Sequence, residues 1–213
     1  MKLAVTDAYL QLRPERRDGE EHYYVDGNVG CGLPLTRATG HEMIVGVAQA
    51  LTFGSAFDQY VFIDADQSKI DMLKRATGAR PDARFLVGAP EEVLSKQIVP
   101  RIRKRDRRHA LLLLDTYSGP LDWEMLRSAG EARTFDVVVS FSEPDLDASP
   151  SDRYQMISDF EGILRRESGF PHITAAHAVE REDGAELYYL FFATHDEALA
   201  EAMAEAMSSI PVR

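Results

Sequence analysis

With 213 residues, 45% of them hydrophobic and 28% charged, the chain is expected to form a single globular domain around one sizeable core. A net charge of −11 argues against broad nucleic-acid binding, and apolar runs such as 110–114 (ALLLL) are far too short to cross a bilayer. One cysteine excludes an internal disulfide and fits a reducing cytoplasm, while Asp7 interrupts the N-terminus before a secretory signal could develop.

Residues 1–20 read as a helical or loop segment leading into the domain. The first strand covers 22–26, and the turn DGNVGCG follows it. Ile44, Val47, Ala48 and Leu51 then mark a helix that stops near Gly54. Residues 60–64 (YVFID) form a second strand, apolar without interruption, as strands buried on both faces are. A short helix over 67–75 ends before Gly78 and Pro81, and 83–87 is the third strand. The pattern of Leu94, Ile98 and Ile102 predicts a helix over 91–103, which Pro100 should kink or end early. Strand four, 109–115 (HALLLLD), is the most apolar. A helix over 121–132, a fifth strand over 135–141 (FDVVVSF) and a helix over 152–167 complete the alternating part.

The ending departs from that alternation. Residues 173–180 and 186–194 read as strands joined across Asp183-Gly184, a dipeptide suited to a type I′ hairpin. A final helix over 195–208 carries Met203 and Met207, which are read as core. Strands with helical crossovers require a parallel sheet covered on both faces. The expectation is therefore an α/β three-layer open sheet of five parallel strands with a C-terminal antiparallel hairpin. One domain, 1–213, holds it all.

In such sheets ligands bind outside the carboxyl ends of the strands. That edge gathers Asp26, Gly27, Asn28, Gly30 and Gly32 of the glycine-rich turn, then Asp64, Ala89, Asp115 and Tyr117. Glycine permits close approach of a ligand to the backbone. Asp64 has two readings: an acceptor for ribose hydroxyls, or an acid favoured at the start of the next helix. Asp66 is read as the cap of that helix. Asp115 and Tyr117 could orient and deprotonate an acceptor, or belong to a turn in which the acid caps the following helix and the ring packs against the sheet. The basic run 101–108 (RIRKRDRR) falls at the opposite, amino edge and reads as a solvated face at a helix C-terminus. Glu143, Asp145 and Asp147 instead make the carboxyl edge acidic, which disfavours a polyanionic acceptor and suits a cationic sulfonium. The six histidines take no zinc-ligand spacing, so no metal is expected. Cys31, in the glycine turn, lacks a visible His-and-acid arrangement that would make it a catalytic thiol.

The succession DGNVGCG, YVFIDAD, LLLLDTYSGPLDWEML, FDVVVSF and YYLFFATHDEALAEAMAEAM resembles the three-Cys-motif partner proteins. These are bacterial relatives of class I methyltransferases. Asp26, Gly30 and Gly32 match the family's D-x-F-A-G-P-G turn, Asp64 its second acid, and Asp115 with Tyr117 its D-P-Y-G motif; Gly119, Trp123 and Leu126 extend the last match. Asn28, Cys31 and Thr116 depart from it, and Gly88-Ala89 replaces the acid that often follows strand three. The resemblance implies a class I methyltransferase-like (Rossmann-like) sheet, into which an antiparallel last strand is inserted. It also implies S-adenosylmethionine as cofactor, with Asp26, Gly27, Asn28, Gly30 and Gly32 at its amino-acid end, Asp64 on the ribose, and Ala89 nearby. Asp115 and Tyr117 would face the methyl acceptor.

Two functions follow from this resemblance: methyl transfer to an unidentified acceptor, or a non-catalytic methyltransferase-fold protein acting through a three-Cys-motif protein partner. A nicotinamide-dependent dehydrogenase fits less well. The order G-x-x-G-x-G is not G-x-G-x-x-G, and Asp64 lies well beyond the roughly 20 residues expected of a ribose acid in that fold.

Overall fold

The runs YVFI and ALLLL are apolar throughout because the strands that contain them are covered on both sides. The computed structural model describes residues 2–13, 15, 18–29, 40–115, 121–142, 150–180 and 187–209. Five parallel strands, β1 (Glu21–Asp26), β2 (Gln59–Asp64), β3 (Ala83–Val87), β4 (Arg108–Asp115) and β5 (Phe135–Ser142), are joined by helical crossovers. Their spatial order is β3-β2-β1-β4-β5. A last strand, β8 (Leu187–Thr194), runs antiparallel beside β5 and separates it from β6 (His172–Ile173) and β7 (His177–Glu180). This is the predicted sheet, with the antiparallel hairpin inserted as the resemblance implies.

Each face has its own core. Val25, Val61, Leu112 and Val137 point to one side, where Leu94, Leu126 and Leu164 cover them. Tyr24, Phe62, Leu111 and Phe192 point to the other. There they meet α1 (Lys2–Leu12), α2 (Gly40–Leu51), α3 (Gln67–Thr77) and α7 (Glu197–Ser208) through Val5, Val47, Ile70 and Met203. Met203 and Met207 are core, as read. The alternation of faces is the period-two geometry of a strand, so one apolar run serves both layers.

Three expectations need correction. The helix over 91–103 is not continuous: α4 (Pro90–Val93) passes into a π turn over Leu94–Ile98 and a 3-10 turn over Val99–Arg101. Pro100 has no N–H to give and its ring crowds the carbonyl four residues back, so the backbone widens ahead of it. Leu94, Ile98 and Ile102 remain fully buried all the same. The strand over 173–180 is divided into β6 and β7, with one residue more than β8 presents opposite it. Thr174 occupies this bulge; its N–H donates to the Phe192 carbonyl and its hydroxyl accepts from the Phe192 N–H, both at 2.9 Å. Finally, α5 (Trp123–Ala132) and α7 begin two residues later than read. Asp122 and Asp196 stand outside them as caps and accept from Met125 N–H and Leu199 N–H. The remaining helix, α6 (Pro150–Glu167), follows β5. The predicted turn at Asp183-Gly184 lies outside the described residues.

Candidate functional site

Because β1 to β5 are parallel, their carboxyl ends share one edge, and β1 is flanked there by β2 on one side and β4 on the other. The chain leaving β1 bridges both neighbours. Gly27 N–H donates to the Leu113 carbonyl of β4 at 2.9 Å, and Val29 N–H donates to the Ile63 carbonyl of β2 at 3.0 Å. Asp26 closes the turn by accepting the Asn28 N–H on Oδ1 at 3.2 Å. Asp26 and Asn28 are 6% and 8% exposed, so this polar turn is folded into the sheet top rather than lifted off it. A Cβ on Gly27 would meet the Leu113 carbonyl oxygen and Leu114 Cδ2, each at 3.1 Å. Both contacts are tighter than a Cβ ordinarily makes, so any larger residue needs the Leu113 carbonyl or the Leu114 side chain to give by a few tenths of an ångström.

Asp64 ends β2 next to that turn and is 6% exposed. Its Oδ1 accepts the Asp66 N–H at 2.8 Å, which turns the chain into α3. Its Oδ2 lies 3.4 Å from Lys69 Nζ. Asp66 is the cap of α3, as read: its Oδ1 accepts from Ser68 N–H at 2.8 Å and from the Ser68 hydroxyl at 2.6 Å. Those bonds hold the Asp66 carboxyl below its ordinary pKa. Asp66 therefore caps α3, while the Asp64 carboxylate holds the approach to that helix through the Asp66 N–H. Beyond it, Gly88 N–H donates to the Asp64 carbonyl at 3.1 Å with φ at +152°, and a Cβ on Gly88 would lie 2.8 Å from Val93 Cγ2. Ala89 follows, half-buried, and its carbonyl accepts the Val93 N–H at 3.0 Å to start α4.

The structure therefore brings Asp26, Gly27, Asn28, Asp64 and Ala89 to the ends of three neighbouring strands. The backbone of Asp115 closes β4 opposite Ser140 of β5. The side chain of Asp115, together with Tyr117, Gly30 and Gly32, lies outside the described residues. The capping role weighed for Asp115 belongs to Asp122, which holds the start of α5. The basic run sits where expected, before β4 at the amino edge, with Arg101, Arg103, Lys104 and Arg105 exposed. Among the described residues no three His, Cys, Asp or Glu side chains group as metal ligands.

Sequence reasoning missed two features. One is Lys69, whose only sequence signal is a cation in the first turn of a helix, where the dipole disfavours positive charge. The other is a buried polar hub at the amino edge. Asp136 of β5 accepts from Tyr9 Oη at 2.9 Å, Thr194 Oγ1 at 2.5 Å and His109 Nε2 at 2.8 Å. Beside it, Arg13 Nη1 donates to His22 Nδ1 at 2.6 Å, since a guanidinium can only donate.

A parallel run of five strands with an antiparallel strand inserted beside the fifth defines the class I methyltransferase-like, Rossmann-like fold. No family model matches the chain, and no curated protein matches it in sequence. Solved structures do resemble it. The DszA carbon methyltransferase aligns over 88% of this chain and 51% of its own, at 16% identity and a TM-score of 0.53. The CMeT domain of the citrinin polyketide synthase aligns over 91% and 52%, at 12% identity and 0.51. The chain spans about half the length of these two structures. The methyltransferase domain of bacterial CtHen1-C aligns over 92% and 97%, at 11% identity and 0.49. These likenesses concern the fold. No helix among the described residues is long and apolar enough to cross a membrane.

The carboxylate at the end of β2 has the acceptor chemistry that a vicinal diol needs. An ionised carboxylate offers about four lone-pair sites. Asp66 N–H and Lys69 Nζ engage two on Asp64, which leaves two for a ribose diol. Gly27 leaves the turn without a side chain at the point nearest β4.

Proposed function

We propose that the chain binds S-adenosylmethionine at the ends of β1 to β3 and transfers its methyl group to an acceptor held over β4 and β5. The observation that carries this reading is the buried Asp64 carboxylate at the end of β2, beside a β1 turn closed by Asp26 and passing through Gly27. Asp64 would accept the ribose hydroxyls; Asp26, Gly27, Asn28, Gly30 and Gly32 would cradle the amino-acid end, and Ala89 would border the base. The cofactor supplies an already activated methyl on a sulfonium. The protein's work is then orientation and exclusion of water, with Asp115 and Tyr117 aligning the acceptor.

The departures at Asn28, Cys31 and Thr116 favour a second reading, in which the fold binds a partner protein (a three-Cys-motif protein, by the sequence resemblance) without turnover. A thermal-shift series separates the readings. Stabilisation by S-adenosylmethionine and S-adenosylhomocysteine supports the first. No shift with either leaves the partner role, and a shift with NAD alone would revive a dehydrogenase.

A further inference from the structure

We infer that Lys69 is a positioning residue for ribose recognition, acting through Asp64; this rests on the cofactor reading above. Lys69 occupies the third position of α3, after Gln67 and Ser68, where the helix dipole opposes a cation. It is nonetheless only 24% exposed on its side chain, and its ammonium turns back 3.4 Å from Asp64 Oδ2, on a side chain 7% exposed. A lysine tethered against its helix preference, beside a buried carboxylate at a strand end, compensates the charge of that carboxylate and fixes its rotamer.

The two anchors on Asp64 divide the task. Asp66 N–H holds Oδ1 through the backbone, and Lys69 holds Oδ2 through a side chain. With both ends pinned, the carboxylate plane is set before any ligand arrives, and the carboxylate keeps acceptor capacity for a vicinal diol. Preorganisation of this kind raises affinity by reducing what must be ordered on binding. Lys69 is therefore a determinant of diol recognition rather than a competitor for the site, because Asp64 has acceptor capacity for both.

The test crosses three proteins with two ligands. Binding of S-adenosylhomocysteine and of its 2′,3′-dideoxy analogue is measured calorimetrically for the wild type, Lys69→Met and Lys69→Arg. The expected result is an affinity for S-adenosylhomocysteine about fivefold weaker in Lys69→Met, largely restored in Lys69→Arg, with no difference between the proteins for the dideoxy analogue. A purely structural role would weaken both ligands alike, and that result overturns the inference. Tighter binding in Lys69→Met also overturns it, by showing that the ammonium competes with the ribose. Absence of S-adenosylhomocysteine binding to the wild type instead sinks the cofactor reading on which it rests.

Discussion

The hydroxyl of Tyr9, in the first helix, donates to Oδ2 of Asp136, in the fifth strand, at 2.9 Å across 127 residues of sequence. Both are buried. The bond ties α1 to the sheet, and Val5 on the same helix packs into the core of that face. Removing the hydroxyl leaves the ring in place but deprives a buried carboxylate of one of its donors. Tyr9→Phe should destabilise the fold by about 1.5 kcal/mol, read from urea denaturation with an unchanged m-value. A change within experimental error would mean that water or another group replaces the hydroxyl.

Asp136 also makes the fold sensitive to acid. Burial pushes its carboxyl up, but the hydrogen bond and charge of His109, with the Thr194 and Tyr9 hydroxyls, outweigh that and hold it below its ordinary value. A carboxyl depressed in the folded state stabilises fully above its unfolded pKa, about 3.9, and the contribution disappears as pH falls through the folded value. Asp136→Asn should therefore lower the Tm near neutrality, with the gap to wild type closing below about pH 4. A gap that stays constant down to pH 3 would show that Asp136 is not the group responsible.

Gly130 is a packing constraint of another kind. It lies in α5 where that helix crosses the chain after α6, and a Cβ there would collide with the Ser168 carbonyl oxygen and approach Gly169 C to 2.8 Å. Both obstacles are backbone, so neither can rotate aside. Gly130→Ala should cost about 3 kcal/mol by denaturation, despite the better helix propensity of alanine. Gly162→Ala serves as the control. Its Cβ meets only the guanidinium end of Arg166, which can move.

The β1 turn can be probed without touching a polar group. Gly27→Ala places a methyl 3.1 Å from the Leu113 carbonyl and Leu114 Cδ2, so the turn and its β4 neighbours must shift by a few tenths of an ångström. The variant should fold, with a reduced Tm, and bind S-adenosylhomocysteine at least about tenfold more weakly in a calorimetric titration. Unchanged affinity would place the ligand elsewhere than over this turn.

The sheet was legible from sequence because its strands are buried on both faces. YVFID and HALLLLD could be little else, and each ends in an acid at the edge where parallel strands deliver their loops. Leu94, Ile98 and Ile102 led correctly to the core but wrongly to a continuous helix. Side-chain spacing reports which residues are buried; it does not report a π turn ahead of Pro100. The polar hub was hidden for a different reason. Tyr9, His109, Asp136 and Thr194 come from four elements, and only the acid inside FDVVVSF hints that a buried charge needs partners. In the candidate site, Asp26 and Asp64 could be read from their strand-end positions. Lys69 could not, because its meaning depends on where α3 starts relative to β2.

The proposed function turns on Asp64 accepting the ribose hydroxyls of an adenosyl cofactor. Isothermal titration of S-adenosylhomocysteine into wild type and Asp64→Ala tests it most directly. The expected result is a Kd on the order of micromolar for the wild type, and at least about tenfold weaker binding for a folded Asp64→Ala. Equal affinity in the two proteins, or no binding to the wild type at all, would contradict it.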